Sequence, residues 1–279
     1  MGTRYFIGVD GSGPSRAALR WGLHRAAEDG SPVVLVHVVD DEWGLVGHDY
    51  AEDAERQADA LLAEETANAG ALAAGVQIRT RVLHGSPWWE LAGLPAAEDL
   101  LIIGTHKTGF LRGRVLGSRS VQVASAARSS VAIVPDAVIE ARRGVVVGVD
   151  RFDGSIPAVA RGAREALRLG QELLLVYAPP TPPRPEGAAD LPASTEAAQQ
   201  VLVNAAAAAT AAAPGVTVHR RLVRRAPAEA LLDASYDAAL LVLGVSHPRQ
   251  GTQSLIGSVT HDVLMNINVP VLIARSCRS

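Results

Sequence analysis

The stretch Leu100–Ser118, LLIIGTHKTGFLRGRVLGS, decides how the rest of the chain is read. Its first four residues, Leu100 to Ile103, are all apolar and rich in branched side chains, a run too short for a helix and suited to a buried strand. Gly104 is expected to end that strand. A polar segment with Lys107, Arg112 and Arg114 follows, and Gly117-Ser118 opens a new segment, SRSVQVASAAR. There Val121 and Ala124 stand three apart, Ala124 and Arg128 four apart, and Ser118 can cap the first turn. A strand, a cationic loop and a helix N-terminus form a cradle for an anion, because unpaired backbone N–H groups and the positive end of the helix dipole converge there. An ordinary strand-to-helix turn reads the same way. What weighs against that reading is that the pattern occurs twice.

Asp10 and Asp150 both close a strand-like run, IGVD and VGVD, and lie 140 residues apart. Gly30 and Gly170, Pro87 and Pro227, Gly104 and Gly244, and Gly117 and Gly257 keep the same 140-residue offset. Five landmarks in one register, with no net gap, make this a duplicated domain rather than a solenoid. The expected division is a first domain over residues 1–136, a linker over 137–143 and a second domain over 144–279.

Composition fits that division. At 279 residues the chain is long enough for about two domains, and 48% hydrophobic residues supply a sizeable core. A net charge of −3 without Lys/Arg runs gives no footprint for nucleic acid. No apolar run approaches the roughly 20 residues needed to span a bilayer, so no membrane role is expected. The opening MGTRYFIGVD enters a strand pattern at once, from which no signal peptide is expected. Cys277 is the only cysteine, which forbids an internal disulfide and fits a reducing cytoplasm.

In the first copy, Tyr5 to Val9 reads as a strand and DGSGPS as a capped turn with Pro14 near the first helical turn. Ala17, Ala18, Trp21, His24 and Arg25 then run at helical spacing to a stop at Gly30. VVLVHVV after Pro32 is the continuous apolar run of a parallel strand covered on both faces. Residues 40–50 read as a loop and 51–70 as a helix with Leu61 and Leu62 inward and many acids outward. Strands are expected at Val76–Leu83, Leu100–Ile103 and Val131–Val134, with a short helix after His84-Gly85-Ser86-Pro87. The second copy repeats the order, with strands at Val145–Val149, Leu173–Tyr177, Val216–Val223, Leu240–Leu243 and Val269–Ala274. It carries a helix over Ala158–Leu169, a proline-rich loop over Ala178–Ala193 and an alanine-rich helix that ends near Pro214. This alternation implies a parallel sheet with helices on both faces and right-handed crossovers. Its ligand crevice lies beyond the strand C-termini where the strand order reverses, which is where Asp10 and Gly104 fall.

Several catalytic patterns fail on inspection. Gly11-Ser12-Gly13-Pro14-Ser15-Arg16 starts like a dinucleotide fingerprint but puts Arg16 where close helix–strand packing needs a glycine. No GxxxxGK[ST] exists, and Gly244-Val245-Ser246-His247-Pro248 is not a nucleophile elbow. The histidines lack metal-ligand spacing, His37 reads as a satisfied core histidine, and Trp88-Trp89 reads as a packing pair. Nothing assembles a nucleophile, a base and an orienting acid, so no catalytic or metal residue is named.

What remains is Gly-x2-X-x9-Gly-Ser after the fourth strand of each copy, together with the strand-one Asp. With IGVDGS, the LVHVV strand, Gly85-Ser86-Pro87 and the LLIIG…GS…SSVAIVP block, the chain resembles tandem universal stress proteins over nearly its whole length. The resemblance implies α/β architecture in two tandem copies. Each copy is an open, five-stranded, mainly parallel sheet with helices on both faces, Rossmann-like and akin to the adenine nucleotide α-hydrolase folds. It also implies that the motif backbone cradles the phosphates of ATP, with Mg as a companion ion, while the strand-one Asp and a strand-two backbone group frame the nucleoside. Carried over by position, the first copy offers Asp10, Val38, Gly104, Lys107, Gly117, Ser118 and Arg119. The second offers Asp150, Tyr177, Gly244, Gly257, Ser258 and Val259.

Both copies depart at the motif's second glycine, which is Lys107 in one and His247 in the other. A side chain there hinders positive φ and close approach to a phosphate. The charge of Lys107 partly compensates, whereas Pro248 after His247 removes an N–H and favours extended backbone. The second copy also replaces Asp-Gly-Ser by Asp150-Arg151-Phe152. The expectation is a cytoplasmic stress-response protein that binds adenine nucleotide, mainly in its first domain, without strong catalysis. The alternatives are a scaffold that acts through protein contacts and, against the absence of an SGGxDS arrangement, an ATP-hydrolysing or ATP-pyrophosphatase-like enzyme. The family pairs domains through strand five, which makes Val131–Val134 and Val271–Ala274 the expected edges of an intramolecular pseudo-dimer. A further homodimer is compatible with the sequence but not readable from it.

Overall fold

The computed structural model describes residues 3–40, 48–105, 118–137, 142–151, 155–179, 192–245 and 256–275. The chain divides into two compact units between Ala137 and Val138. The first contains β1 (Tyr5–Gly8), α1 (Gly13–Asp29), β2 (Val33–Val39), α2 (His48–Leu72), β3 (Ile78–His84), α3 (Pro87–Gly93), β4 (Leu100–Thr105), α4 (Ser118–Ala126) and β5 (Ser130–Pro135). Its strands are all parallel, in the order β3-β2-β1-β4-β5. The second contains β6 (Val145–Val149), α5 (Ile156–Arg168), β7 (Leu173–Tyr177), α6 (Pro192–Ala212), β8 (Val218–Leu222), α7 (Pro227–Ala234), β9 (Leu240–Gly244), α8 (Ser258–Leu264) and β10 (Val271–Ala274). Its order, β8-β7-β6-β9-β10, is the same arrangement, again parallel throughout.

The apolar strands are continuous because both faces are covered. Side chains of adjacent strand residues point to opposite faces, and different helices meet them. A Cβ on Gly22 of α1 would lie 2.6 Å from Ile7 Cδ1, whereas a Cβ on Gly8 would lie 3.2 Å from Leu91 Cδ1 of α3. Helices α1 and α3 therefore cover opposite faces at β1. The second unit repeats this with Gly162 of α5 against Val147 at 2.2 Å and Gly148 against Leu231 of α7 at 3.3 Å.

The structure refines several expectations. Helix α1 begins at Gly13, capped by Ser12, whose Oγ accepts from the Ser15 N–H at 3.3 Å. Gly104 does not end β4; the strand runs on to Thr105, hydrogen-bonded in register with β5 through Pro135. Among the described acids of α2, Glu65 is the one turned inward, only 1% exposed. The start of α6 at Pro192 shortens the proline-rich loop, of which residues 180–191 lie outside the described residues, as do 41–47 of the first loop. Helices α7 and α8 stand where α3 and α4 stand in the first unit.

One ion pair ties the starts of β1 and β4 together. The buried Asp99 carboxylate accepts from Arg4 N at 3.1 Å, Arg4 Nε at 3.1 Å, Arg4 Nη2 at 2.7 Å and Ala96 N at 3.0 Å. Burial pushes this carboxyl up, but the hydrogen bonds from Arg4 and Ala96, with the Arg4 charge, outweigh it and hold it below its ordinary value. A pKa depressed in the folded state stabilises the fold above the unfolded value of about 3.9 and is lost as pH falls below it. Urea midpoints of the wild type are expected to fall as pH drops from about 4 towards 2. Asp99→Asn is expected to flatten that fall and to lose about 2 kcal/mol at neutral pH. Equal pH slopes in the two proteins would exclude Asp99 as the titrating group.

Candidate functional site

In each unit the strand order reverses at the first strand, whose neighbours are the second and the fourth. The crevice beyond their C-terminal ends is the place where such sheets bind ligands. In the first unit it is floored by the end of β1. Gly8 pairs with Val36, so Asp10 stands level with Val38. The Asp10 backbone N–H donates to Ser15 Oγ at 3.1 Å, and Asp10 Oδ1 accepts from the Ser12 N–H at 3.0 Å. Its other carboxylate oxygen has no partner among the described residues, and the side chain is exposed.

Val38 offers its backbone to the same crevice. Successive residues of a parallel strand turn their N–H and C=O groups to alternate neighbours. Val36 O accepts from Val9 N at 2.8 Å on the β1 side, and Val39 O accepts from Gly85 N at 3.1 Å on the β3 side. Val38 therefore faces the β1 side, where β1 has already ended. Its neighbour His37 is half-buried and places Nδ1 2.8 Å from Val9 O, so it is satisfied, but at the rim of the crevice rather than in the core.

Gly104 lies against the first turn of α1. A Cβ there would lie 2.2 Å from Pro14 O and 2.7 Å from Ser15 N, so the first turn of α1 rests directly on this residue. Its lack of a side chain is accounted for by packing. Arg16, at the position that spoils the dinucleotide fingerprint, is drawn away to α2: its Nε donates to Glu65 Oε1 at 2.9 Å and its Nη2 to Glu64 Oε1 at 2.8 Å. Lys107 and Gly117 lie outside the described residues. Ser118 is the first residue of α4, and Arg119, in its first turn, is exposed. Trp88 and Trp89 do meet edge to face, with centroids 5.4 Å apart, but Trp89 is 60% exposed and is only half a packing pair.

The second crevice is built to the same register and furnished differently. Asp150 Oδ1 accepts from the Arg151 N–H at 2.7 Å, and the Ser155 hydroxyl donates to Asp150 O at 3.1 Å. Tyr177 is not the counterpart of Val38. It pairs with Val149, and its carbonyl accepts from Val223 N at 2.9 Å on the β8 side. The residue level with Asp150, with its backbone turned to the crevice, is Ala178, which the carry-over by resemblance missed and a strict 140-residue offset would have found. Tyr177 corresponds to His37. The residue is 5% exposed, and burial first, then the Asp150 charge, push its hydroxyl pKa up. Gly244 ends β9. Gly257 is the N-cap of α8 with φ −70° and ψ 157°, Ser258 is exposed and Val259 half-buried in the first turn; His247 lies outside the described residues. Among the described residues no three His, Cys, Asp or Glu side chains gather as a metal site.

The universal stress protein family model matches this chain twice, over residues 3–135 and 141–275. The universal stress protein Rv2005c of Mycobacterium tuberculosis is 31% identical, with 96% of each chain covered. A universal stress protein of Archaeoglobus fulgidus superposes with a TM-score of 0.75 over 98% of each chain at 18% identity. A shorter universal stress protein solved in complex with cAMP covers 48% of this chain at 28% identity and a TM-score of 0.39, with 98% of its own length matched.

The packing of Pro14 on Gly104 can be tested in the absence of any ligand. Gly104→Ala is expected to destabilise the protein by about 3 kcal/mol, as overpacking does, read from its urea midpoint. An unchanged midpoint would return this glycine to a purely ligand-binding role.

Proposed function

The chain belongs to the universal stress protein family, and on that premise we propose that its first domain binds an adenine nucleotide, without turning it over. The observation that carries this reading is the level placement of Asp10 and Val38 across the end of β1. An exposed carboxylate with one oxygen uncommitted suits a ribose hydroxyl, and an N–H beside a C=O on Val38 suits the edge of a base. The first turn of α4, with Arg119 and Ser118, suits the phosphates of ATP and their Mg ion. Lys107 and Gly117 complete the proposed cradle from the segment before α4.

The use of the crevice hydroxyls as caps supports binding without turnover. Ser12 Oγ and Ser15 Oγ each accept from a backbone N–H in the loop they cap, and neither is directed at a base. The second domain is the weaker partner, because Arg151 replaces the glycine after the strand-one Asp and a buried Tyr177 stands beside Asp150. We place this activity in a cytoplasmic stress response. A protein-contact scaffold is the second reading, favoured by Trp89 on α3.

Calorimetric titration of the nucleotide-stripped full chain with Mg-ATP is expected to give one site per chain. Lys107→Gly is expected to tighten binding several-fold, because positive φ becomes accessible beside the phosphates. His247→Gly should leave the first-domain isotherm unchanged. Two sites would restore the second domain, equal effects of the two variants would refute the assignment to the first, and no heat at millimolar ATP would leave the scaffold.

A further inference from the structure

We infer that His37 selects the base in the first-domain crevice, accepting a hydrogen bond from the amino group of a 6-aminopurine and disfavouring a 6-oxopurine. The inference rests on the nucleotide reading above and adds to it a side chain that discriminates.

The tautomer follows from geometry. Val9 O is a carbonyl oxygen and cannot donate, so at 2.8 Å the hydrogen must sit on Nδ1. In the neutral imidazole Nε2 is then an acceptor. The same hydrogen bond pins the ring to the last carbonyl before Asp10, across the step from β2 to the end of β1, one residue before Val38. His37 is half-buried, and Nε2 has no hydrogen-bond partner among the described residues and is not among their buried, unsatisfied atoms. It is an oriented acceptor, open to solvent, at the rim where Val38 offers its backbone. An exocyclic amino group donates to such an atom. A keto oxygen sets lone pair against lone pair and loses its own solvation.

The second domain supplies the contrast. Tyr177 takes the position of His37, and its hydroxyl stays protonated at neutral pH beside Asp150. A hydroxyl both donates and accepts, so it serves an amino or a keto group equally. The discriminating acceptor belongs to the first crevice.

The test is titration of the nucleotide-stripped full chain with Mg-ATP and, separately, with Mg-GTP. The wild type is expected to prefer ATP about tenfold, the size of one hydrogen bond won or left unmade. His37→Asn keeps a donor for Val9 O but has no acceptor at the Nε2 position, and its preference should fall to about twofold or less. His37→Gln carries an amide oxygen out to that position and should retain a preference. Urea midpoints for both variants separate loss of selectivity from loss of fold. Equal wild-type affinities, or a preference that survives His37→Asn, would overturn the inference while leaving the nucleotide reading in place. Wild type that binds neither nucleotide would overturn both together.

Discussion

Helix α1 lies against β1 and β4 at a separation that only glycine permits, and the rest of the first domain is arranged around that contact. At Gly22 a methyl group would stand 2.6 Å from Ile7 Cδ1 and 2.9 Å from Ile102 Cδ1, and at Gly104 it would stand 2.2 Å from Pro14 O. Many of the inward residues of α1 are correspondingly small, with Ala17, Ala18, Gly22 and Ala26 buried along with Leu19 and Leu23. Dense packing at this distance leaves no room for a long connection from β1 to α1. The chain turns at once through Asp10 to Ser12, and the Ser12 and Ser15 hydroxyl oxygens accept the N–H groups that the turn leaves unpaired. The exposed Asp10 carboxylate is thus placed by a packing requirement one helical turn away.

The features readable from the sequence were those with a strong period or a fixed offset. VVLVHVV and LLIIG announced covered parallel strands, and the 140-residue offset announced the duplication. A crevice at Asp10 followed from the order of elements alone. What stayed hidden depended on contacts between distant residues. Glu65 reads as one more acid on an acidic helix, and only its pairing with Arg16, 49 residues away, brings it inside. Gly104 reads as a strand terminator because glycine breaks strands more often than it lets a helix approach one. The exchange of Tyr177 for Ala178 is a register error of one residue, and in a strand one residue turns both side chain and backbone to the other side.

The two domains share geometry more closely than chemistry. Arg25 in α1 and Glu165 in α5 occupy the same position of the repeat, and both are buried. Arg25 donates from Nε to the Tyr5 hydroxyl at 3.1 Å and lies over the rings of Tyr5 and Trp21. Glu165 accepts from Arg161 Nε at 2.9 Å and Arg168 Nε at 3.2 Å. Opposite charges sit in one structural slot, each with partners that its own domain provides. Valine stands at 145 where the first domain has Tyr5, so an arginine placed at 165 would lose both its acceptor and its ring, and a buried charge without a partner is strongly destabilising. Such slots are exchanged as sets, which is how a duplicated sheet keeps its register while its surroundings diverge.

The same division runs through the glycine motif that follows the fourth strand of each domain. Gly104 is required by the first turn of α1, so it would stand there whatever the crevice holds, and its presence speaks for the fold. Positions 107 and 247 bear side chains in both copies, so at the second glycine the motif's demand for a ligand-facing glycine is unmet. The motif as a pattern of glycines therefore overstates the case for a ligand. The better witnesses are residues that packing does not need in their present form: an exposed aspartate with one oxygen uncommitted, a strand residue whose backbone faces past the end of its neighbour, and an imidazole fixed by one nitrogen with the other left open. All three lie in the first domain, level with one another across the end of β1 and the adjoining step of β2. In the second domain the aspartate is followed by Arg151 and the imidazole is replaced by a buried tyrosine. On these grounds the asymmetry between the two crevices is a property of their side chains, laid over a common backbone.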